Sequence, residues 1–136
     1  MNAIVISFVV VASLAFVNAD LTDEQKAKIV ANGKLCVGET GVDTELIKQA
    51  RNGKFVDDEK LKSFTFCMSK KHGFQNDAGE IQTEVVREKM TQVLGDADVV
   101  NKLIETCLVP KESNEATAFE TFKCYYENTP THVSIL

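Results

Sequence analysis

Four cysteines, Cys36, Cys67, Cys107 and Cys124, and two histidines, His72 and His132, are the side chains in this 136-residue chain best suited to covalent or metal chemistry. Structural zinc sites draw ligands from short C-x₂₋₄-C knuckles, whereas these cysteines are separated by 30, 39 and 16 intervening residues. Neither histidine has the serine or free-cysteine context that nucleophilic hydrolysis requires, so the sequence gives no sign of an enzyme. Two disulfides are the reading that remains, and the spacing alone leaves three possible pairings. The turn Asn76-Asp77-Ala78-Gly79-Glu80 offers calcium-type ligands. It fails as a calcium loop, because placing Gly79 at the sixth position puts Phe74 first and Val85 where a bidentate Glu is needed. Nothing resembles a Gly-rich phosphate loop, and no metal or cofactor is expected. His72, at a helix C-terminus, reads as a dipole-stabilising or solvated residue.

Disulfides require an oxidising compartment. Met1 to Ala19 contains no charged side chain, runs apolar from Ile4 through Phe16, and ends in Val17-Asn18-Ala19 before the charged Asp20-Leu21-Thr22-Asp23-Glu24. This is the pattern of a cleaved secretory signal, although its first residues lack Lys or Arg. The run is shorter than the ~20 apolar residues of a membrane span. Residues 1–19 are therefore read as a signal peptide and 20–136 as a single secreted, extracellular domain with no membrane insertion. The net charge of -5 and the absence of any basic cluster larger than Lys70-Lys71 argue against a nucleic-acid partner, which needs converging cations. No Asn-x-Ser/Thr acceptor occurs, so no N-glycan is expected.

The elements that must carry the cysteines are helices, since the apolar residues recur at three and four rather than at two. Thr22 and Gln25 form a capping-box pattern opening a first helix to about Leu35, with Ala27, Val30, Ala31 and Leu35 on its apolar face, Ile29 off it, and Gly33 weakening its last turn. Asp43 or Thr44 caps a second through Leu46, Ile47 and Ala50, stopped by Asn52-Gly53. A third starts at Asp57 or Asp58, carries Leu61, Phe64, Cys67 and Met68, and ends before Gly73. Ile81, Val85, Val86, Met90, Val93 and Leu94 mark a fourth ending at Gly95. A fifth, capped by Asp96 or Asp98, runs through Leu103, Ile104, Cys107 and Leu108 to Pro110. A sixth, capped by Ser113 or Asn114, carries Ala118, Phe119, Phe122, Tyr125 and Tyr126. The fold class is all-α: a compact six-helix, disulfide-stapled domain. Each bridge is worth roughly 3 to 4 kcal/mol in the chain-entropy model.

The cysteine frame resembles the insect odorant-binding proteins, specifically the subgroup that lacks two of the usual six cysteines. Ser63 stands where the family's second cysteine would be, four positions before Cys67, and Glu115 where the fifth would be, nine before Cys124. The segments His72-Gly73-Phe74 to Ile81 and Phe122-Lys123-Cys124-Tyr125-Tyr126-Glu127-Asn128 also resemble the family's turn and closing helix. The two missing cysteines are partners in the family, so the pairs implied are Cys36 with Cys67 and Cys107 with Cys124. The chain departs from the family pattern in the seven residues between Cys107 and Glu115, which is short.

The resemblance implies a non-catalytic carrier of small hydrophobic ligands, odorants or other semiochemicals, bound in an internal apolar cavity. The expected lining is Phe64, Met68, Val86, Met90, Leu94, Leu103, Leu108, Phe119, Phe122 and Tyr126, with Val133 and Leu136 folding back as a wall or lid. Met68 and Met90 suit a tolerant pocket, because the thioether chain adapts to several shapes. The expected partners are a small volatile or lipid-like molecule and a chemosensory receptor, with the protein a monomer or weak dimer. The lost family bridge implies loosened coupling between the third and sixth helices. Competing readings are a secreted protein-interaction factor with a filled core, and a general lipid or hormone carrier outside olfaction.

Overall fold

A computed structural model describes residues 21–129 and residue 136; the segment read as a signal peptide and the expected lid residue Val133 lie outside these. Six helices appear among the described residues: α1 Asp23–Thr40, α2 Thr44–Arg51, α3 Glu59–His72, α4 Thr83–Leu94, α5 Ala97–Cys107 and α6 Asn114–Asn128.

Side-chain oxygens satisfy the otherwise orphaned amides at most helix starts. The Gln25 amide donates to Thr22 Oγ1 (3.1 Å) and the Thr22 amide to Gln25 Oε1 (2.8 Å), closing the capping box of α1. Asp43, Asp58, Asp96 and Ser113 accept in the same way at α2, α3, α5 and α6. Between α3 and α4 a short loop is tied down by a Gln75–Ile81 bridge and by Asn114 Nδ2 donating to the Ala78 carbonyl (3.2 Å). Gly79 belongs in that loop for a steric reason: its φ is +86°, and a Cβ there would fall 2.0 Å from the Asn114 side chain.

α3 is the hub. It buries Leu61, Phe64, Thr65, Cys67, Met68 and Ser69 and packs more extensively against α6 than any other pair of helices packs together, with α1 on another flank. Full burial of side chains such as Leu61, Phe64 and Met68 stabilises by about 1.5–3 kcal/mol apiece. The two disulfides join Cys36 to Cys67, linking α1 to α3, and Cys107 to Cys124, linking α5 to α6. The fold therefore consists of two stapled pairs docked through the α3–α6 interface.

α1 corrects one expectation. It does not fade at Leu35 but continues to Thr40, where Gly41 adopts φ 67° and stops it. Its inward face is also different: Val30 and Leu35 are 51% and 57% exposed, and Ala27 and Ala31 are exposed as well. The inward positions are Ile29, Gly33, Cys36 and Val37. The bridge to Cys67 sets this rotation. Successive helical residues lie about 100° apart around the axis, so once Cys36 points at α3, its neighbour Leu35 points away.

The family's third bridge would cross the α3–α6 interface, which this chain packs closely without it. We expect Ser63→Cys with Glu115→Cys to form a new disulfide and to raise the unfolding free energy by about 2–4 kcal/mol. Denaturant unfolding with and without reductant measures this, and free thiols at both positions would show that the two residues do not face each other.

Candidate functional site

The apolar stripes of α4, α5 and α6 converge on one small void. Val86 and Met90 of α4, Val100, Leu103 and Ile104 of α5, and Phe122 and Tyr125 of α6 line it, closed by Phe74, Cys107, Leu108 and Thr121. Its volume is about 30 Å³, room for about two water-sized bodies. The Cys107–Cys124 bridge holds two of its walls together.

Five residues expected from the sequence meet at this void: Val86, Met90, Leu103, Leu108 and Phe122. The others lie elsewhere. Phe64 is fully buried and forms the floor of a groove between α1 and α2. Met68 is fully buried in α3, and Leu94 packs against the core from its edge. The ring of Phe119 meets Phe55 edge-on at 5.7 Å. Tyr126 lies over Gly53, where a Cβ would come within 2.6 Å of its ring. Leu136 is buried, and its carbonyl accepts from Arg51 Nε at 2.9 Å. The void also contains residues that the sequence reading did not single out as ligand contacts: Phe74, Val100, Ile104, Thr121 and Tyr125.

A larger cleft of about 190 Å³ opens beside the void, between α1, the end of α3 and α4. Its floor is Ile29, Phe74, Met90 and Val93, and its rim carries Lys28, Lys71 and Lys89. No carboxylate lines it among the described residues. Lys89 Nζ donates to the His72 carbonyl (2.6 Å), and the His72 ring stacks on Phe74 with centroids 5.1 Å apart. Phe74 and Met90 line both spaces. They form the partition between outer cleft and inner void.

The polar chemistry of the void is sparse. Thr121 Oγ1 donates to the Thr117 carbonyl (2.7 Å) within α6. The Tyr125 hydroxyl is buried without a hydrogen-bond partner among the described residues, and burial pushes its pKa up to about 12. Away from the void's lining, Cys36, Glu39 and Cys67 bring potential metal-ligand atoms together. Both sulfurs are already spent in the disulfide, so that group offers no thiolate to a metal.

Comparison with known proteins agrees with this architecture. Over 110 residues the chain is 34% identical to the B1 protein of Tenebrio molitor, covering 81% of this chain and 85% of the relative. It is 30% identical over 132 residues to general odorant-binding protein 56a of Drosophila melanogaster, covering 90% and 93%. Among solved structures it resembles the fatty acid binding protein OBP56a from the oral disk of the blowfly Phormia regina. That likeness has a TM-score of 0.65 at 29% identity and covers 80% of this chain and 95% of the other. The PBP/GOBP family matches residues 18–128, and with its helices, its two staples and its apolar interior this chain belongs to that family.

Proposed function

We infer that this chain is a carrier, not an enzyme, and that it binds small hydrophobic molecules non-covalently in the space between α4, α5 and α6. The shared partition carries this reading. An apolar void and an open apolar cleft are separated by two side chains, of which Met90 is unbranched and adaptable. Transfer of an apolar molecule from water into that space is driven by removal of its surface from solvent. A ligand of about 10 to 15 heavy atoms binding at micromolar strength needs about -8 kcal/mol, within known ligand efficiencies. Such a ligand is larger than the void, so it must displace Met90 and Phe74 toward the cleft as it enters.

Secretion belongs to the same proposal, supported by the two disulfides and by the apolar leader pattern of residues 1–19. Among the described residues no helix is long and apolar enough to cross a membrane. Delivery of the ligand to a chemosensory receptor by a monomer or weak dimer completes the proposal. A second reading, carriage of long-chain acids as a general lipid carrier, draws on the three lysines around the cleft, which suit a carboxylate. The blowfly relative is itself named as a fatty acid binding protein.

The carrier reading predicts that the fluorescent apolar probe phenylnaphthylamine binds at one per chain and is displaced by fatty alcohols; no uptake would refute it. A fatty acid that displaces the probe more strongly than the alcohol of equal length, with the difference shrinking as salt is added, supports the lipid reading, and equal displacement excludes it. For the partition, Met90→Ala is expected to lower stability by about 2–5 kcal/mol through the cavity it leaves. Stopped-flow mixing should nevertheless show faster probe association; an unchanged association rate would mean that Met90 does not bar the way.

A further inference from the structure

A buried donor without an acceptor calls for an explanation, because nearly all such groups in folded proteins are satisfied. Tyr125 is 6% exposed, and among the described residues its hydroxyl is the buried side-chain polar atom that finds no partner. A phenylalanine at this position would fill nearly the same space without that cost. The residue lines the inner void, where the two hydroxyl-bearing side chains of the wall are its own and that of Thr121. The Thr121 proton is already engaged by the Thr117 carbonyl. The cysteine sulfur in the wall, that of Cys107, is bridged and has no proton to give.

We propose that the Tyr125 hydroxyl is the hydrogen-bond donor to the bound ligand, and that the inner site thereby selects molecules carrying an uncharged oxygen acceptor, a ketone, aldehyde or ester, over plain hydrocarbons. The inference rests on the carrier reading above, with the void as the inner end of the ligand's path. The wall presents only apolar atoms at its present size, so the proposal requires an entering ligand to enlarge the space until it reaches the hydroxyl. Two features support it. Tyr125 follows Cys124 directly, and the bridge from Cys124 to Cys107 fixes this turn of α6 against α5, so the donor is held in place before the ligand arrives. A tyrosine keeps its proton throughout the physiological range, and burial, which raises its pKa further, does not weaken that, so the group is a donor at every such pH. A charged acceptor is disfavoured at the inner end, since no cation lines it among the described residues and a buried lone charge is costly. The lysines lie around the outer cleft instead.

A ligand without an acceptor leaves the hydroxyl no worse off than before, so discrimination is modest. One neutral hydrogen bond corresponds to about tenfold in affinity. The test is probe displacement by a matched pair, methyl octyl ketone and its isostere with an exocyclic methylene in place of the carbonyl oxygen, on the native protein and on Tyr125→Phe. The ratio of ketone to alkene affinity should fall about tenfold in the variant. The ketone's infrared carbonyl stretch should shift to lower frequency on binding the native protein and not on binding the variant. An unchanged ratio and stretch, with the probe still taken up, overturn the proposal and leave the carrier reading intact; failure of the native protein to take up the probe overturns both.

A purely structural role for the hydroxyl makes the opposite stability prediction. Under our proposal Tyr125→Phe melts at the same temperature as the native protein or higher, because it removes an unpartnered group. Its alkaline behaviour should also differ. A folded pKa near 12, above the ordinary 10.0, means that this tyrosine's contribution is complete below about pH 10 and lost as pH rises toward 12. Unfolding curves of Tyr125→Phe should therefore decline less steeply across that window. A lower melting temperature in the variant would show that the hydroxyl already has a stabilising partner, and would sink the proposal.

Discussion

Cys36 stands about one turn from the C-terminal end of the longest helix and is bonded to the most deeply packed one, and that covalent constraint orients much of the molecule. With Cys36 fixed on Cys67, α1 presents Ile29, Gly33 and Val37 to the interior and leaves Val30 and Leu35 in solvent. Ile29 and Gln25 then border the outer cleft, and Val37 and Gly33 border the groove over Phe64. Had α1 turned its richer apolar stripe inward, both clefts would be lined differently. Hydrophobic matching alone would favour that other rotation, but a bridge worth roughly 3 kcal/mol outweighs the exposure of a valine and a leucine that remain half covered.

Helix ends were legible because they are written in local chemistry. Thr22 caps α1 as expected, Asp43, Asp58, Asp96 and Ser113 are the capping members of the alternatives the sequence offered, and Gly73 and Gly95 take the expected left-handed stops, whereas Gly41, which ends α1, was not among the expected stops. Gly33 was misleading for an equally local reason: glycine weakens an isolated helix by roughly 1 kcal/mol, which a buried position between two packed turns readily offsets. Faces were legible where the stripe was strong, as in α3 and α5, and not in α1, where a long-range bond decides the rotation. The lost family bridge implied loosened coupling between α3 and α6; among the described residues these two helices form the most extensively packed pair, and Phe64, Ala118 and Phe122 on them are all buried.

The candidate site was half legible. Periodicity identifies which side chains leave solvent, so the residues it selected are nearly all buried or half-buried. It does not say which buried residues share one void. Phe119 and Phe122 lie on the same stripe of α6, but Phe119 meets Phe55 while Phe122 reaches the void. Tyr125 and Tyr126 are adjacent and chemically identical. One helical step of about 100° sends Tyr126 over Gly53 and Tyr125 into the apolar wall, and only the three-dimensional arrangement reveals which hydroxyl is stranded.

A carrier whose centre is nearly filled by its own side chains binds in a way that differs from a preformed pocket. Its affinity is the intrinsic affinity reduced by the fraction of molecules with the space open, so every contact holding Met90 and Phe74 in the core weakens binding while it strengthens the fold. The stack of His72 on Phe74 and the bond from Lys89 to the His72 carbonyl are such contacts, and both lie at the rim of the outer cleft. Neither His72 nor Lys89 lines the inner void itself, so they act on it through Phe74 and the backbone beside it. The two disulfides act differently: one joins α1 to α3 and the other α5 to α6, so neither bonds to the partition residues Phe74 and Met90. Rigidity is thus concentrated at the bridged α5–α6 wall, where a ligand must be recognised, and the unbranched Met90 side chain of α4 is the adaptable part of the partition through which a ligand must pass.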